Sequence, residues 1–544
     1  MITRINSFVL QGIDAIPCEV EVDFAGTGLP RTTIVGLPDA AVRESADRVR
    51  TALENSGFEW PRCRLTVNLA PADVRKEGPV YDLPMAVGIL AAGGDLEPAM
   101  QRGGGAAPAI DRERCLFAGE VALDGRLRPI KGAVSLGMLA RRLGLDAVLP
   151  RSNAQEAALV DGVRAFGFDS IGEVVAFLRG EQAAEPAPAP DVDAAVSAAP
   201  VEVDFAEVRG QEAAKRALLI AAAGGHNLLM IGAAGAGKTM MARALPGILP
   251  PLSRCEAVEV TRLYSCVRAG AVGGESAAQL IVRRPVRTPH HGASAVSIVG
   301  GGGVPRPGEV SLAHCGVLFL DELPEFGRSV LESLREPVED GHVTIARAHG
   351  TVRFPAEIML VAAMNPTAKG GRSVGASAGG SDASAGAEAS GSSRRYGGSG
   401  GAAERARYMA RLSGPLIDRI DIHVEVLPVP FRELSRVRNG LDSASMRDAV
   451  SAARSRQDAR NGAGVLNARL RGKSLDRFAS LDDETRKLLG DALDHLGLSA
   501  RAYDRIRRVA RTIADLAGSD GVRCNDVAEA IQYRLLDRAG AMAV

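Results

Sequence analysis

The stretch Gly232-Ala-Ala-Gly-Ala-Gly-Lys-Thr239 decides the fold of this 544-residue chain. It fits the pattern G-x-x-x-x-G-K-[ST], and the apolar residues 227–231 before it predict a buried strand. A helical pattern follows at 240–245. In this context the glycines let backbone N–H groups turn towards phosphates, and the start of the helix adds a positive field. The stretch therefore predicts a phosphate-binding loop in an α/β domain.

Two residues of the loop carry specific chemistry. The Lys238 ammonium can reach the β- and γ-phosphates of ATP, and the Thr239 hydroxyl can hold Mg²⁺. The residues predicted to surround the nucleotide are Gly232, Ala233, Ala234, Gly235, Ala236, Gly237, Lys238, Thr239 and Met240.

Two further apolar segments end in polar residues suited to ATP hydrolysis. Gly316–Leu320 predicts a buried strand followed by Asp321 and Glu322, predicted to hold Mg²⁺ and to polarise the attacking water. The apolar run 358–363 leads to Asn365, a candidate sensor of the γ-phosphate. Together the three segments predict an ATP-hydrolysing domain.

Composition places few limits on function. Lys plus Arg and Asp plus Glu both number 65, so net charge carries no overall nucleic-acid signature. The seven cysteines include no C-x-x-C pair, which fits a reducing cytosol better than a disulfide framework. Neither a signal-peptide core nor an apolar run of about 20 residues occurs, so we expect a cytoplasmic protein that does not span a membrane.

The chain divides into four parts by pattern. Residues 1–180 alternate strand-like and helix-like segments and predict an α+β domain. The Ala/Pro-rich segment 181–200 predicts a flexible linker. Residues 201–430 hold the nucleotide motifs, with a low-complexity loop at 368–402, and 431–544 predict a helical lid. In the lid, Ser499 and Asn525 are predicted to cap helices.

With these motifs assembled, the chain resembles the ComM/YifB type of magnesium-chelatase-like AAA+ ATPases over nearly its whole length. The resemblance is carried by motifs in all three domains: Val35-Gly-Leu-Pro-Asp39, Asn68-Leu-Ala-Pro-Ala-Asp73, Lys76-Glu-Gly-Pro79, Pro289-His-His-Gly292, Pro307-Gly-Glu-Val-Ser-Leu-Ala-His314, Ser413-Gly-Pro-Leu-Ile-Asp-Arg-Ile-Asp421 and Leu498-Ser-Ala-Arg-Ala-Tyr503. It implies an AAA+ P-loop core with a helical lid, preceded by a domain like that of Lon proteases (ribosomal S5 domain 2-like).

Such ATPases work as ring oligomers, usually hexamers, with ATP between neighbours. By this resemblance Arg419 matches the arginine finger offered to the neighbour's ATP, and Arg501 matches the lid arginine that contacts the γ-phosphate. The residues alone leave alternatives open. Arg419 could form a surface salt bridge with an adjacent aspartate, and the lid also offers Arg505, Arg507, Arg508 and Arg511.

The first domain departs from the Lon pattern at both catalytic positions. Val80 and Val134 stand where the resemblance places the nucleophilic serine and its lysine, so we expect a non-proteolytic module. Lys131 lies nearby and leaves a displaced Ser–Lys pair as the alternative. Relatives also commonly carry a cysteine cluster after the sensor residue, and none occurs at 367–402 here.

The resemblance also suggests a substrate. In this branch of ring ATPases, insertions point into the central pore, here at about 288–306 and at 343–353. Arg306, Arg347 and Arg353 could then touch phosphates of a threaded strand, although they could equally be ordinary exposed arginines. The leading hypothesis is an ATP-driven DNA motor, a helicase promoting branch migration in recombination of incoming DNA. The alternative is an ATPase that remodels a protein or inserts metal into a macrocycle.

Overall fold

The computed structural model describes residues 2–25, 29–97, 111–267, 280–347, 350–366, 414–429 and 441–534. It contains an N-terminal α+β domain, a central α/β domain and a C-terminal group of helices, which confirms the predicted fold class. The predicted low-complexity loop at 368–402 lies outside the described residues. Within the described parts, no helix is long and apolar enough to cross a membrane.

The first domain is built on a seven-stranded mixed sheet with the order β3-β4-β2-β1-β5-β8-β9. The strands of this sheet are β1 Ile2–Gln11, β2 Asp14–Ala25, β3 Arg31–Val35, β4 Arg64–Ala70, β5 Cys115–Phe117, β8 Asp146–Pro150 and β9 Ala165–Phe168, and a separate two-stranded sheet pairs β6 Glu120–Val121 with β7 Leu127–Arg128. The α-helices are α1 Ala40–Asn55, α2 Asp82–Gly93, α3 Ala133–Leu143, α4 Arg151–Ala157, α5 Ile171–Leu178 and α6 Val192–Ser197. The apolar helix α2 packs on the sheet, and this buries Val87 and Leu90.

The second domain is a parallel sheet of five strands with the order β18-β10-β17-β14-β11. Its strands and hairpins are β10 Leu228–Gly232, β11 Val286–Arg287, β12 Gly300–Gly301, β13 Arg306–Pro307, β14 Val317–Leu320, β15 His342–Arg347, β16 Gly350–Pro355, β17 Met359–Met364 and β18 Ile422–Val426. The helices are α7 Glu212–Gly224, α8 Lys238–Ala244, α9 Arg254–Val267, α10 Ala295–Val299, α11 Glu309–Leu312, α12 Arg328–Ser333, α13 Arg335–Asp340 and α14 Gly414–Ile417. The central strands β14 and β17 are buried throughout, because side chains on both faces of the sheet lie in apolar clusters.

The C-terminal helices pack against α7 and share its apolar core. They are α15 Ser443–Asn461, α16 Gly472–Phe478, α17 Asp483–Leu496, α18 Ala500–Leu516 and α19 Cys524–Gln532. Ser499 caps α18 as predicted, because its side chain accepts a hydrogen bond from Ala502 N. The predicted cap at Asn525 is wrong. Helix α19 already begins at Cys524, and the Arg523 backbone N–H is bonded by the Asp526 side chain.

The segment 181–200 is packed against its neighbours over part of its length. Helix α6 lies inside it, and Val192 and Val196 are buried in an apolar cluster with Leu252 and Ala257 of the second domain. This packing differs from the predicted flexible linker. Alternating alanine and proline signalled an extended chain, whereas the two valines, spaced by four residues, form one apolar helix face.

The first domain is docked onto the second through the turn between β1 and β2. Ile13 in this turn is buried among Ile298 and Phe354, and a Cβ atom on Gly12 would lie 2.2 Å from Val352 Cγ1. Arg262 Nη2 on α9 donates to the carbonyl oxygen of Ile13 at 2.8 Å. The two domains therefore share one continuous apolar core at this point.

A buried carboxyl group, that of Glu156, lies at this interface. The Glu156 carboxyl of α4 accepts hydrogen bonds from Ser265 Oγ of α9 at 3.1 Å and from Asn153 Nδ2 at 3.0 Å. Burial raises the pKa of Glu156 from 4.5 to about 7, against the opposing effect of these two hydrogen bonds. The folded chain therefore binds this proton more tightly than the unfolded chain.

We expect Glu156→Gln to flatten the pH dependence of stability. Since the pKa is raised on folding, the stabilisation is present below the unfolded value and is lost as pH rises towards 7. The wild-type Tm, measured by scanning fluorimetry from about pH 5 to about pH 8, should fall more steeply than that of the variant. Glu185→Gln, at an exposed position, is the matched control. Equal slopes for wild type and Glu156→Gln would contradict this account.

Candidate functional site

The predicted phosphate-binding loop lies between the end of β10 and the start of α8. Gly235 and Gly237 have φ values of +79° and +92°, and a Cβ atom at either position would meet nothing within 4 Å. Open space in front of left-handed glycines is what a loop needs if its backbone N–H groups are to approach phosphates. Gly232 has a different role, since its Cβ would lie 2.3 Å from Val426 O of β18.

The Lys238 ammonium is held at the mouth of this loop. Nζ donates to the carbonyl oxygens of Gly232 at 2.6 Å and Ala233 at 3.0 Å, and to Asn365 Oδ1 at 3.1 Å. Burial lowers the pKa of Lys238, and the charges of Asp321 and Glu322 oppose that effect. The cation therefore lies close to both carboxylates, ready to exchange its loop carbonyls for phosphate oxygens.

Thr239 and Asp321 form a donor set of hard oxygen atoms. Thr239 Oγ1 donates to Asp321 Oδ2 at 3.0 Å, although the two residues follow different strands, β10 and β14. A hydroxyl and a carboxylate with both side chains open to solvent suit Mg²⁺, which binds few protein oxygens and keeps water and substrate phosphates. The residues present therefore fit this metal ion.

Glu322 has an unusual backbone and a partner that the sequence did not reveal. Its φ of +53° is uncommon for a residue with a side chain, and such strain concentrates at functional sites. Glu322 Oε2 lies 3.4 Å from His291 Nδ1, and the His291 ring stacks on His290 with centroids 4.1 Å apart. His291 follows β11, the strand beside β14, so the contact depends on strand order.

The ATP-site residues therefore meet at one edge of the sheet. Lys238, Asp321 and Asn365 each follow the carboxyl end of a different parallel strand, β10, β14 and β17. Among the other predicted loop residues, Ala236 is buried, Ala233 and Met240 are half-buried and Ala234 is exposed. This is the edge where ligands bind in open parallel sheets.

Arg419 lies at the other edge of the same sheet. Its carbonyl oxygen accepts a hydrogen bond from Asn227 Nδ2 at 3.1 Å, and Asn227 immediately precedes β10. Strand β10 has five residues, so Arg419 and Lys238 are separated by roughly 16 Å along it. The Arg419 guanidinium pairs with Glu339, to which Nε donates at 2.9 Å. Arg419 therefore does not reach the phosphate loop of its own chain.

Arg501 lies beside Arg419 and away from Lys238. Its Nη1 donates to Asp418 Oδ2 at 2.6 Å, and its side chain is 71% exposed. Both arginines line a cleft of about 1120 Å³ between the second domain and the C-terminal helices. The remaining arginines that line this cleft are Arg284, Arg454, Arg469, Arg471, Arg505 and Arg508.

A buried network holds the Arg419 segment against the C-terminal helices. Asp421 Oδ2 lies 3.2 Å from His226 Nδ1, and His226 Nε2 lies 2.8 Å from Thr512 Oγ1 of α18. Burial alone would raise the pKa of Asp421, but His226 and the charges of Arg508 and Arg505 outweigh it, so that pKa lies below its usual value. Arg505, one of the four alternative lid arginines, is thus buried with its Nε 3.7 Å from Asp421 Oδ1.

The two predicted insertions form hairpins that carry the candidate DNA-contacting arginines. Arg306 is exposed on β13, and Arg347 and Arg353 are exposed on β15 and β16. The opposite face of the second hairpin is apolar and packs on Ile13 of the first domain. Arg353 Nη2 contacts the His342 ring at 2.8 Å. The second insertion, expected at 343–353, is the hairpin β15–β16, whose contact with the first domain was not predicted. The first insertion contains helix α10 before the short strands β12 and β13.

His314 and Lys76 could carry chemistry other than ATP hydrolysis, but both form contacts within the fold. In the parts of the chain that the structure covers, no three His, Cys, Asp or Glu side chains are grouped to hold a metal ion. His314 is buried and accepts a hydrogen bond from Glu357 N at 3.0 Å. In the first domain Val134 is fully buried, and the Lys76 ammonium donates to the Pro71 carbonyl oxygen.

Comparison with known families assigns each of the three domains. Residues 204–434 match the family model of magnesium chelatase, subunit ChlI. Residues 20–153 match that of subunit ChlI of Mg-chelatase, and 440–534 match that of the subunit ChlI C-terminal region.

Full-length relatives decide the family. The chain is 42% identical to the protein YifB of Salmonella typhimurium and to YifB of Escherichia coli, in each case over 97% of this chain and 96% of the relative. It is 40% identical to the competence protein ComM of Haemophilus influenzae over the same shares. The chain belongs to the magnesium-chelatase-like family of YifB and ComM.

Membership in the YifB/ComM family agrees with the geometry of the phosphate loop. The family and the site together support an ATPase that uses a nucleotide and Mg²⁺. Two features of this family member escaped sequence analysis, namely the His291–Glu322 contact and the Arg501–Asp418 ion pair. The adjacent histidines in Pro289-His-His-Gly292 were the available signal for the first of these.

Proposed function

We propose that the protein is an ATP-driven, ring-forming DNA motor, a helicase that promotes branch migration during homologous recombination of incoming DNA. One observation supports a ring: the residues predicted to bind ATP and the candidate arginine finger Arg419 lie at opposite edges of one sheet. One relative is named a competence protein, and competence is the uptake of DNA by cells. The name supports DNA as the substrate.

The chain's own residues account for hydrolysis of ATP. The loop N–H groups and Lys238 bind the β- and γ-phosphates, and Thr239 and Asp321 hold Mg²⁺, which when bound neutralises charge on these phosphates. Glu322 orients a water molecule and takes its proton as the water oxygen attacks the γ-phosphorus. The bond from that phosphorus to the β-phosphate oxygen breaks, and ADP and phosphate leave. Asn365 accepts a hydrogen bond from Lys238 and is the proposed sensor of the γ-phosphate.

Arg419 and Arg501 act on the ATP of a neighbouring subunit in this proposal. Their carboxylate partners Glu339 and Asp418 belong to the same chain and hold them at the open cleft. In a closed ring, a head-to-tail interface brings that edge of one subunit to the phosphate loop of the next. The fork of an arginine stays charged and binds phosphate in two places. We propose a hexamer, the usual ring of such ATPases.

DNA is proposed to pass along the hairpins that bear Arg306, Arg347 and Arg353. All three side chains are exposed, and guanidinium groups on short hairpins can follow a phosphate chain without reading its bases. Nucleic-acid binding of this kind weakens steeply with salt, because counterions released on binding return to the phosphates.

A second candidate is an ATPase that remodels a protein or acts as magnesium chelatase does. It is favoured by the family models, which match a chelatase subunit over all three domains. Both candidates use the same ATP site, so hydrolysis alone does not separate them. They differ in their response to DNA.

The proposal predicts that DNA stimulates ATP hydrolysis. Hydrolysis by the full chain should be measured without DNA, with single-stranded DNA and with a four-way junction, using Lys238→Ala as the blank. We expect at least one DNA to stimulate ATP hydrolysis by the wild type, because binding of the substrate is coupled to hydrolysis in the ring. The blank should show no such stimulation. Hydrolysis that depends on Lys238 but is indifferent to every DNA would contradict the motor and favour the second candidate.

A further inference from the structure

The first domain places a lysine beside the hairpins of the second. Lys131 lies between β7 and α3, and the N–H of the next residue, Gly132, donates to the Ser265 carbonyl oxygen of α9 at 3.0 Å. The docked turn that holds Ile13 fixes the same part of the first domain against the second hairpin. Lys131 is thus held in position by the domain interface and does not depend on a mobile linker.

Three cations from three segments converge at this interface. Arg306 pairs across its hairpin with Gly301, and Arg347 Nη2 would lie 3.7 Å from a Cβ atom on Gly301. Burial lowers the pKa of Lys131, and the positive charge of Arg306 lowers it further. Helix α9 links the two residues, because it accepts the hydrogen bond from Gly132 beside Lys131 and also contacts β13, which carries Arg306.

Among the residues that the structure describes, these three cations have no direct protein partner. Within the described ranges, neither Lys131, Arg306 nor Arg347 forms an ion pair or a side-chain hydrogen bond. The Glu77 carboxylate feels the charge of Arg306, but it also lies 3.7 Å from Arg75, a cation of its own. The cluster therefore carries a positive excess that an external anion can neutralise.

The backbone beside the cluster is open to a ligand. The open position is Gly303, where a Cβ atom would meet nothing within 4 Å, whereas a Cβ atom on Gly300 would lie 2.4 Å from Arg306 O of its own hairpin. This glycine turn lets an extended anion approach the main chain closely. A series of phosphates spaced along one strand matches three separate cations better than a single small anion does.

We propose that Lys131 of the first domain, together with Arg306 and Arg347, forms a surface that binds the phosphates of a nucleic-acid strand. The inference rests on the proposed function, and it adds the N-terminal domain to the DNA path. The hairpins supply Arg306 and Arg347 to this surface, and the docked domain supplies Lys131. This assigns the domain that lacks the Ser–Lys pair a direct part in holding the substrate.

The test is a salt titration of DNA binding by the full chain. A fluorescein-labelled oligo-dT is titrated with wild type and with Lys131→Gln in the presence of a non-hydrolysable ATP analogue, and binding is followed by anisotropy. For single-stranded DNA, one phosphate contact changes the slope of log K against log salt by about 0.7, so Lys131→Gln should weaken binding about fivefold near 0.1 M salt. Lys131→Arg should retain binding, which excludes loss of folding as the cause.

The matched control is Arg142→Gln, which removes one exposed charge at the far end of α3. If the wild type binds the oligonucleotide but Lys131→Gln binds as well as the wild type, or no worse than Arg142→Gln, this inference is overturned. The proposed function is not affected by that outcome. Absence of oligonucleotide binding by the wild type would overturn the proposed function and the inference with it. The protein could also bind poly-glutamate more tightly than DNA, in a way that depends on Lys131. That outcome would assign the surface to an acidic protein and overturn the inference.

Discussion

Replacing Glu322 with glutamine should lower kcat for ATP hydrolysis about 10²- to 10⁴-fold and leave ATP affinity nearly unchanged. The amide cannot accept the proton of the attacking water, whereas the phosphate contacts come from Lys238 and the loop. The variant keeps the size of the side chain and can still contact His291, which lies 3.4 Å from the carboxylate. Steady-state phosphate release and binding of a fluorescent ATP analogue measure the two quantities.

Glu325→Gln is the matched control for this substitution. It makes the same chemical change three residues further on, in the turn after the site, and Glu325 N donates to the Glu322 carbonyl oxygen at 2.8 Å. We expect near-normal kcat for this control. A Glu322→Gln variant with wild-type kcat would refute the assignment of Glu322 as the general base. Loss of ATP affinity with unchanged kcat would make Glu322 a binding residue.

Replacing Arg419 with alanine should abolish hydrolysis in the pure variant, and mixing should restore it. An arginine finger is worth about 10³- to 10⁵-fold in kcat. Because Arg419 and Glu322 lie at opposite edges of one subunit, an Arg419→Ala subunit still has a complete phosphate loop. A Glu322→Gln subunit still offers Arg419. In rings assembled from equal amounts, about a quarter of the interfaces combine two intact residues.

Phosphate release from the mixture, measured after the two variants have exchanged subunits, checks this prediction. The control mixture combines Glu322→Gln with Lys238→Ala. Both changes damage the same edge, so no interface in that mixture is complete and activity should stay at the level of the blanks. An inactive mixture of Arg419→Ala with Glu322→Gln would contradict action across an interface. Full activity of Arg419→Ala alone would show that the residue only forms its ion pair with Glu339.

The elements around the phosphate loop could be predicted because their signals are local. The strand before Gly232, the apolar run before Asp321 and the serine cap of α18 each depend on a few neighbouring residues. The predicted cap at Asn525 was wrong because both Asn525 and Arg523 could precede the helix. The contact between Arg523 and Asp526 set the helix start at Cys524. The linker prediction failed for a related reason, since Val192 and Val196 form a helix face only when another domain is present to cover it.

The sequence by itself determined the P-loop motif, the polar residues after three strands and the family resemblance. These are properties of residue order, and they do not depend on which strands are neighbours. Only the tertiary structure decided the strand order β18-β10-β17-β14-β11, and with it the meeting of His291 with Glu322 and the position of Arg419 at the far edge. It also decided that Lys131 lies near Arg306, through burial of Ile13 between two domains. Hydrogen bonds between distant strands and burial of apolar surface set these contacts, and neither depends on separation along the chain.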